Sequence, residues 1–321
     1  MRFFDCFAGI GGFRIGLERV GFKCVGSCEI DKYASKLYHA YFDTKGEFYE
    51  DDIRNIECKK LPEFEMLVGG FPCQAFSISG KQRGFDDVRG LLFFELARIA
   101  KFKKPQFLFF ENVKNLLHHE KGKTFEKILL ELWKLGYDVE YATLNSKDFN
   151  LPQNRERVFI VGHLRKRSRT KILPILKSLK SFSNLQEQEA TTNTIVARYG
   201  ASCSSGTYII ENSIVPQKVG IIGNDSQGNR VYDTSLAITL KASSGGFGGK
   251  TGLYKVGERI RRLTPLECFR LQGFSDDMVE LAKKLEISDT QLYKMVGNAV
   301  SVNVIEAIAK EIKKKQGGNN A

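Results

Sequence analysis

The chain has 321 residues, of which 42% are hydrophobic and 27% charged. This is the composition of a globular protein, and it excludes a disordered or fibrous chain. The 49 lysine and arginine residues outnumber the 37 aspartate and glutamate residues, which gives a net charge of +12 at pH 7. An excess of this size favours a polyanionic partner, nucleic acid before an acidic membrane surface, although solubility alone also accounts for a charged surface.

The sequence predicts no membrane span, secretion signal or bound metal. No apolar stretch approaches the roughly 20 residues that a transmembrane helix needs, and Asp5 follows the start too closely for a signal peptide. The seven cysteines are scattered without a CxxC pair, and the four histidines lack metal-binding spacing. These features predict a cytoplasmic protein without disulfides.

Residues 1–165 alternate short apolar runs with amphipathic stretches, which predicts an α/β fold with a doubly wound parallel sheet and helices on both faces. We expect strands at 3–7, 24–29, 66–69, 106–111, 139–144 and 158–162. Helices are expected at 12–20, 32–42, 91–102 and 124–135.

The composition changes after residue 162. Residues 163–180 carry seven cations and no acid, and 190–257 are rich in glycine, serine and threonine, with short β-like runs at 207–210 and 236–240. We therefore predict a large domain at 1–164, a small irregular domain at 165–285, and a C-terminal part at 286–321 that returns to the large domain. A helix at 300–312 has an apolar face suited to packing on the sheet.

A glycine-rich turn follows the first predicted strand and opens the first predicted helix. Gly9 and Gly11 let a ligand approach backbone N–H groups, and Glu29, 20 residues after Gly9, is placed to bind ribose hydroxyls. A nicotinamide dinucleotide is one interpretation, but Arg14 takes the place of the third glycine of that motif. S-adenosylmethionine, which has a ribose and no pyrophosphate, suits the turn as well, and glycines needed for packing alone are the remaining explanation.

Cys73 directly follows a predicted buried strand, and Pro72 stiffens its turn, so Cys73 is a candidate nucleophile. The simpler interpretation is a small buried apolar residue. Glu111 ends the neighbouring strand, where apolar surroundings would raise its pKa and make it a proton donor beside Cys73. Arg155 and Arg157 have i,i+2 spacing, so an extended chain would point both to one face, where a guanidinium can hold an anion or a substrate carbonyl.

Five motifs in one order resemble those of DNA cytosine-5 methyltransferases. They are Phe7-Ala8-Gly9-x-Gly11-Gly12, Gly70-Phe71-Pro72-Cys73-Gln74, Glu111-Asn112-Val113, Gln153-x-Arg155-x-Arg157 and Gly297-Asn298-Ala299-Val300. The stretch Arg262-Leu263-Thr264-Pro265-x-Glu267 also matches the motif that follows the target-recognition domain of that family. The resemblance covers nearly the whole chain and implies a Rossmann-like cofactor and catalytic domain, a small target-recognition domain, and a cleft for duplex DNA between them.

The resemblance also implies a reaction and the residues that perform it. The Cys73 thiolate would attack C6 of a cytosine flipped out of the duplex, and Glu111 would hydrogen-bond or protonate N3. Arg157 would hold O2, a role that Arg155 shares. C5 would then take the methyl group of S-adenosylmethionine, which leaves S-adenosylhomocysteine, before the C5 proton is lost and Cys73 is eliminated.

A cofactor pocket follows from the same resemblance. Its residues are Phe7, Gly9, Gly11, Glu29, Ile30, Asp52, Ile53, Pro72, Leu92, Asn298 and Val300. Glu29 would bind the ribose, and Asp52 with Ile53 the adenine. Ile30 departs from the pattern, because a similar member of the family has there an aromatic residue that stacks on adenine, so we expect weaker cofactor binding.

The predicted DNA contacts come from the loop after Cys73 and from the small domain. They are Ser77, Ile78, Ser79, Lys81, Arg83, Arg89, Gln227, Arg230 and Thr239. Gln227 or Ser79 would fill the space left by the flipped base, and Arg230 would read a guanine unless it contacts a phosphate. The expected target is GCGC, methylated at the inner cytosine. By analogy the enzyme is expected to be a bacterial or phage monomer that associates with the nucleoid through DNA, with a restriction endonuclease of the same target as a possible partner.

Three alternatives remain open from the sequence. An RNA methyltransferase shares the catalytic motifs, but the long glycine-rich insert between Val158 and Arg262 favours duplex DNA. A non-catalytic DNA-binding relative conflicts with the presence of Cys73, Glu111 and Arg157 together. A nicotinamide-dependent dehydrogenase would bind NAD and not S-adenosylhomocysteine in a cofactor titration.

Overall fold

Seven strands of the described residues form one central sheet in the computed structural model, which describes residues 1–72, 91–165, 172–173, 216–222, 229–242, 248–256 and 258–317. The strands are β1 (Arg2–Cys6), β2 (Lys23–Cys28), β3 (Phe48–Glu50), β4 (Met66–Gly70), β5 (Phe107–Val113), β6 (Tyr137–Asn145) and β7 (Glu156–Leu164), and their order across the sheet is β3-β2-β1-β4-β5-β7-β6. The predicted α/β class and the six predicted strands are confirmed. The sequence does not reveal β3, because three residues are too few for a periodic pattern.

The strands from β3 to β5 run parallel, whereas β7 runs antiparallel to both of its neighbours, β5 and β6. The expectation of an entirely parallel sheet is therefore wrong at this edge. The connection explains the difference: residues 146–155, which join β6 to β7, are enough for a hairpin-like return but too few for a crossover helix.

Helices cover both faces of the sheet, as the sequence predicts. In the described residues the α-helices are α1 (Gly12–Glu18), α2 (Lys32–Tyr41), α3 (Leu91–Lys103), α4 (Lys123–Lys134), α5 (Pro265–Leu271), α6 (Asp276–Lys284), α7 (Asp289–Asn298) and α8 (Val302–Gly317). Because neighbouring strand residues point to opposite faces, Phe4 joins the core under α3 and α4, while Phe3 joins the core under α1 and α8. The predicted packing of the last helix onto the sheet is thus confirmed.

A second sheet lies in the part of the chain with the changed composition. Within the described residues it contains β8 (Lys218–Ile221), β9 (Arg230–Tyr232), β10 (Leu253–Val256) and β11 (Arg259–Arg262), in the order β11-β10-β9-β8. The predicted run at 236–240 is not a strand, since Ala237 forms an isolated bridge with Gln153. The run at 207–210 lies outside the described residues.

Helices α5, α6 and α7 form a third core together with α2. Phe269, Met278 and Leu292 pack in the same cluster as Leu37. A capping box, in which Thr264 and Glu267 bond each other's backbone N–H groups, begins α5. Part of the segment expected to be irregular is therefore helical and shares a core with the first 164 residues, and the domain boundary at 285 stays a prediction. None of the helices in the described ranges is long and apolar enough to cross a membrane.

Candidate active site

The C-terminal ends of β4 and β5 lie side by side and bring Glu111 to the chain that leads to Cys73. Gly70 is the partner of Glu111 in the parallel register. A Cβ atom added at Gly70 would lie 3.3 Å from Glu111 Oε2, so the glycine leaves room for the carboxyl group. Gly70 precedes Cys73 by three residues, and Cys73 itself lies outside the described residues.

Asn112 fixes the first residues of the chain that leads to Cys73. Its Nδ2 donates a hydrogen bond to Phe71 O at 2.9 Å, and its Oδ1 accepts one from the Val113 N–H at 2.8 Å. The Phe71 ring packs against Phe93. No role for Asn112 is predicted from the sequence, although its place inside the Glu111-Asn112-Val113 motif was the available signal.

Arg157 forms an ion pair with Glu111. Its Nε lies 3.0 Å from Glu111 Oε1, and the two side chains are 15% and 10% exposed. The antiparallel ladder explains the pair: Arg157 stands opposite Val113, so Glu111 is its diagonal neighbour on the same face of the sheet. The Arg157 guanidinium thus lies beside the Glu111 carboxyl group, and its predicted contact with O2 of the cytosine stays a prediction.

The surroundings of Glu111 favour its protonated form. Burial raises the pKa of the Glu111 carboxyl above its usual value, and the Arg157 and Arg155 guanidinium groups oppose this shift without cancelling it. Burial likewise lowers the pKa of Arg157, against the opposing effect of Glu111. A carboxyl group that keeps its proton to higher pH than an exposed glutamate is suited to act as an acid.

Arg155 takes a different place from Arg157. Its guanidinium donates hydrogen bonds to the backbone carbonyls of Leu240 at 3.1 Å, Gly297 at 3.1 Å and Ala299 at 2.8 Å. The residue is 2% exposed. The expectation that Arg155 shares the substrate face of Arg157 is wrong in this structure. Residue 155 precedes β7, and its guanidinium binds backbone carbonyls of residues 240, 297 and 299.

The turn between β1 and α1 meets Glu29, as the spacing predicts. Phe7, Gly9 and Gly11 have φ angles of 57°, 55° and 85°, and nothing lies within 4 Å of a Cβ atom added at Gly9. Glu29 accepts the Gly9 N–H through Oε2 and the Asp31 N–H through Oε1, both at 2.7 Å. Burial raises the pKa of Glu29, while these two N–H groups act against the shift.

The other predicted cofactor residues differ in burial, and one of them, Val300, packs against the start of α1. Asp52 caps a short 3₁₀-helix (Ile53–Asn55), in which Ile53 is buried. Val300 packs so closely on the start of α1 that a Cβ atom added at Gly12 would lie 2.7 Å from Val300 Cγ2. Ile30 is 66% exposed. Pro72 and Asn298 are exposed, and Leu92 is half-buried.

Two of the predicted DNA-binding residues lie in the described part of the chain. Arg230 begins β9 and is half-buried. Thr239 donates a hydrogen bond from Oγ1 to Asn154 O at 2.5 Å, which ties its segment to the chain before β7. The remaining ones, Ser77, Ile78, Ser79, Lys81, Arg83, Arg89 and Gln227, lie outside the described residues.

The comparison with protein families decides between the alternatives. The model of the C-5 cytosine-specific DNA methylase family matches residues 1–314. The chain belongs to this family. The methylase is therefore a DNA (cytosine-5)-methyltransferase, and S-adenosylmethionine is its methyl donor. The dehydrogenase and the non-catalytic relative are set aside by this result.

Curated relatives agree with the family, and a solved structure agrees with the fold. The methylase is 40% identical to type II methyltransferase M.HhaI of Haemophilus parahaemolyticus, over 97% of this chain and 94% of that protein. It is 39% identical to type II methyltransferase M1.ScrFI of Lactococcus lactis, over 96% of this chain and 77% of that protein. The structure of Dnmt2 methyltransferase from S. pombe has the same fold, with a TM-score of 0.67 at 17% identity, and covers 98% of this chain and 99% of its own.

Proposed function

We propose that the methylase modifies the inner cytosine of GCGC in duplex DNA, as a monomeric modification enzyme of a type II restriction system in a bacterial cytoplasm. Support for the restriction context comes from several relatives named type II methyltransferases at 38–40% identity. A relative from Bacillus phage SPR, 31% identical, is named an orphan methyltransferase. A chain without a cognate endonuclease is therefore the second candidate.

The observation that carries the catalytic proposal is the buried Glu111–Arg157 pair beside Gly70. It sets a carboxyl group with a raised pKa and a guanidinium beside Gly70, three residues before Cys73 in the sequence. Cytosine C5 is a weak nucleophile until another group adds at C6, and negative charge then develops on the ring. An acid and a cation at this place oppose that charge.

The proposed reaction gives each residue one bond to make or break. The Cys73 thiolate forms a C–S bond to C6, N3 takes a proton from Glu111, and Arg157 donates a hydrogen bond to O2. S-adenosylmethionine supplies an electrophilic methyl carbon on its sulfonium sulfur. When C5 gains the methyl group, the S–CH3 bond breaks and S-adenosylhomocysteine keeps its electrons. A water molecule then takes the C5 proton, the electrons of that C–H bond expel Cys73 as a thiolate, and N3 returns its proton to Glu111. The target cytosine must leave the duplex stack for Cys73 to reach C6.

The described residues fit the cofactor. Open space at Gly9 lets a ligand approach the glycine turn. Glu29 accepts the Gly9 N–H there, and its carboxylate oxygens have further lone pairs that can accept ribose hydroxyls. We assign the ribose to Glu29, the adenine to Asp52, Ile53 and the exposed face of Ile30, and the remainder of the pocket to the other predicted residues. These are Phe7, Gly11, Pro72, Leu92, Asn298 and Val300.

For the DNA, we propose that the segment 165–285 contains the reading domain and that 1–164 and 286–321 form the catalytic domain. Arg230 reads a guanine and Thr239 lies at the DNA side of the cleft. The loop residues Ser77, Ile78, Ser79, Lys81, Arg83 and Arg89, with Gln227, surround the flipped nucleotide. A positive net charge of +12 favours association with phosphates.

One experiment tests the activity and the target together. Purified methylase is incubated with S-adenosylmethionine and unmethylated genomic DNA, and the product is sequenced after bisulfite treatment; Cys73→Ser is the matched control. Protection of the inner cytosine of GCGC is the expected result. Protection within another motif refutes GCGC and keeps the reaction, whereas complete conversion with an active cofactor site refutes a duplex DNA substrate.

A further inference from the structure

Arg155 lies where three chain segments meet. It belongs to the chain before β7, and its guanidinium bonds one carbonyl of residues 236–242 and two of residues 297–300. We call 236–242 the recognition segment, because it carries Thr239 and adjoins the second sheet. We call 297–300, the last two residues of α7 and the two residues that follow it, the cofactor turn.

The backbone of Arg155 is fixed as well as its side chain. Its N–H donates to Asn145 Oδ1 at 3.0 Å, and its carbonyl accepts the Ser146 N–H at 3.0 Å. Ser146 Oγ lies 2.7 Å from Ser301 Oγ, directly after the cofactor turn. A shift of the cofactor turn would therefore disturb the hydrogen bonds of the Arg155 guanidinium directly and those of its backbone through Ser146.

The recognition segment is bound to the chain around Arg155. Ala237 accepts the Asn154 N–H at 2.8 Å and donates its own N–H to Pro152 O at 2.9 Å. Thr239 adds the side-chain bond to Asn154. The recognition segment carries the Leu240 carbonyl, which is a partner of Arg155. We therefore expect a ligand that displaces this segment to displace the carbonyl as well.

The cofactor turn touches both the recognition segment and the methyl-transfer site. A Cβ atom added at Gly297 would lie 2.4 Å from the Lys241 carbonyl carbon, so the two backbones are in contact. At the other end of the turn, Val300 packs against Gly12 and lies 3.6 Å from a Cβ atom added at Gly70, the partner of Glu111. One short turn thus connects the DNA side to the cofactor side.

A guanidinium is suited to bind carbonyls of the recognition segment and of the cofactor turn at the same time. Burial lowers the pKa of Arg155, with the neighbouring Arg157 charge as a further cause, so each carbonyl that Arg155 loses leaves a poorly solvated cation. A planar guanidinium reaches carbonyls in several fixed directions, whereas the ammonium group of lysine is a point charge. Movement of either segment away from Arg155 is therefore unfavourable.

We infer that Arg155 is a positioning residue that couples the recognition segment to the cofactor turn, so that DNA and S-adenosylmethionine each strengthen the binding of the other. This inference rests on the proposed function. By linkage, the factor by which DNA improves cofactor affinity equals the factor by which the cofactor improves DNA affinity.

A binding cycle tests the inference. The Kd of S-adenosylhomocysteine is measured by calorimetry with and without a short duplex that carries the motif found by bisulfite sequencing. Wild-type protein is compared with Arg155→Lys and with Arg165→Lys. Arg165 is the matched control, since it also bridges backbone carbonyls, those of Trp133 and Tyr137, to which no role in binding is assigned.

In the wild type we expect DNA to lower the Kd of S-adenosylhomocysteine by about tenfold or more, a usual size for coupled sites. Arg155→Lys should reduce this factor below about threefold, and Arg165→Lys should retain it. An unchanged factor in folded Arg155→Lys overturns the inference. Loss of kcat in Arg155→Lys with the factor intact also overturns it, because Arg155 would then act on the substrate.

A second test uses wild-type protein only, so its result does not depend on whether a variant folds. S-adenosylhomocysteine alone should slow hydrogen exchange at the amides of the recognition segment, although the assigned cofactor residues lie elsewhere. Faster or unchanged exchange there refutes the coupling. If wild-type protein binds neither S-adenosylhomocysteine nor DNA, the proposed function fails instead, so the two failures are distinguishable.

Discussion

Glu111→Gln separates the catalytic role of Glu111 from its structural role. Glutamine has nearly the same shape and keeps an oxygen that can accept the 3.0 Å bond from Arg157 Nε, but it has no acidic proton to give to N3. The change also leaves the charge of Arg157 without its partner carboxylate. The Arg157 side chain is only 15% exposed, so water cannot fully replace that partner.

The two effects have different sizes. Removing one member of a buried ion pair costs about 3–5 kcal/mol of unfolding free energy. Because glutamine keeps one hydrogen bond, we expect about 1–3 kcal/mol here. Loss of the acid should lower the rate of methyl transfer about 10²–10⁴-fold. At about 1.4 kcal/mol for each factor of ten, this raises the activation free energy by about 3–6 kcal/mol.

The assay combines single-turnover transfer of labelled methyl groups to unmethylated DNA with urea unfolding. Glu47→Gln is the matched control, since Glu47 pairs with Arg14 at 2.8 Å and the two side chains are 14% and 5% exposed. Glu47→Gln should lose similar stability and keep the transfer rate within a few-fold. Equal loss of rate in both variants, or a rate within tenfold of the wild type in Glu111→Gln, would refute the assigned role.

Four further predictions follow from single residues. Cys73→Ser should abolish turnover and leave the calorimetric affinities for DNA and S-adenosylhomocysteine nearly unchanged; loss of DNA binding in the folded variant would contradict the nucleophile assignment. Arg230→Ala should relax selection at one guanine by about 1–3 kcal/mol in competition methylation, whereas uniform weakening on all sequences would indicate a phosphate contact. Ile30→Trp, at a position 66% exposed, should tighten cofactor binding by about 0.5–1.5 kcal/mol through stacking, and an unchanged Kd speaks against adenine at Ile30. Because the pKa of Glu111 is raised in the folded state, its stabilising contribution is present below the unfolded pKa and falls as pH rises through the folded pKa. Unfolding free energies of wild type relative to Glu111→Gln should fall over that range, and a rise would refute the shift.

Much of the candidate site was predictable from the sequence because its parts are local. The glycine turn with Glu29, and the placement of Glu111 beside Gly70, follow from strands that end at one edge of a parallel sheet. The glycines of a motif predict the turn, and the alternation of residues along a strand predicts which face a side chain points to. The residue type and its position in the strand or turn were therefore sufficient to predict these parts of the site.

The sequence by itself determined the α/β class, six of the seven strands of the central sheet, and the glycine turn that meets Glu29. The tertiary structure alone decided the antiparallel direction of β7, the shared core of α5 to α7 with α2, and the place of Arg155 among three carbonyls. Local patterns fix how a segment folds and which face is apolar. The partner of a buried charge depends on segments that are distant in sequence, since Leu240 and Ala299 reach Arg155 across gaps of 85 and 144 residues.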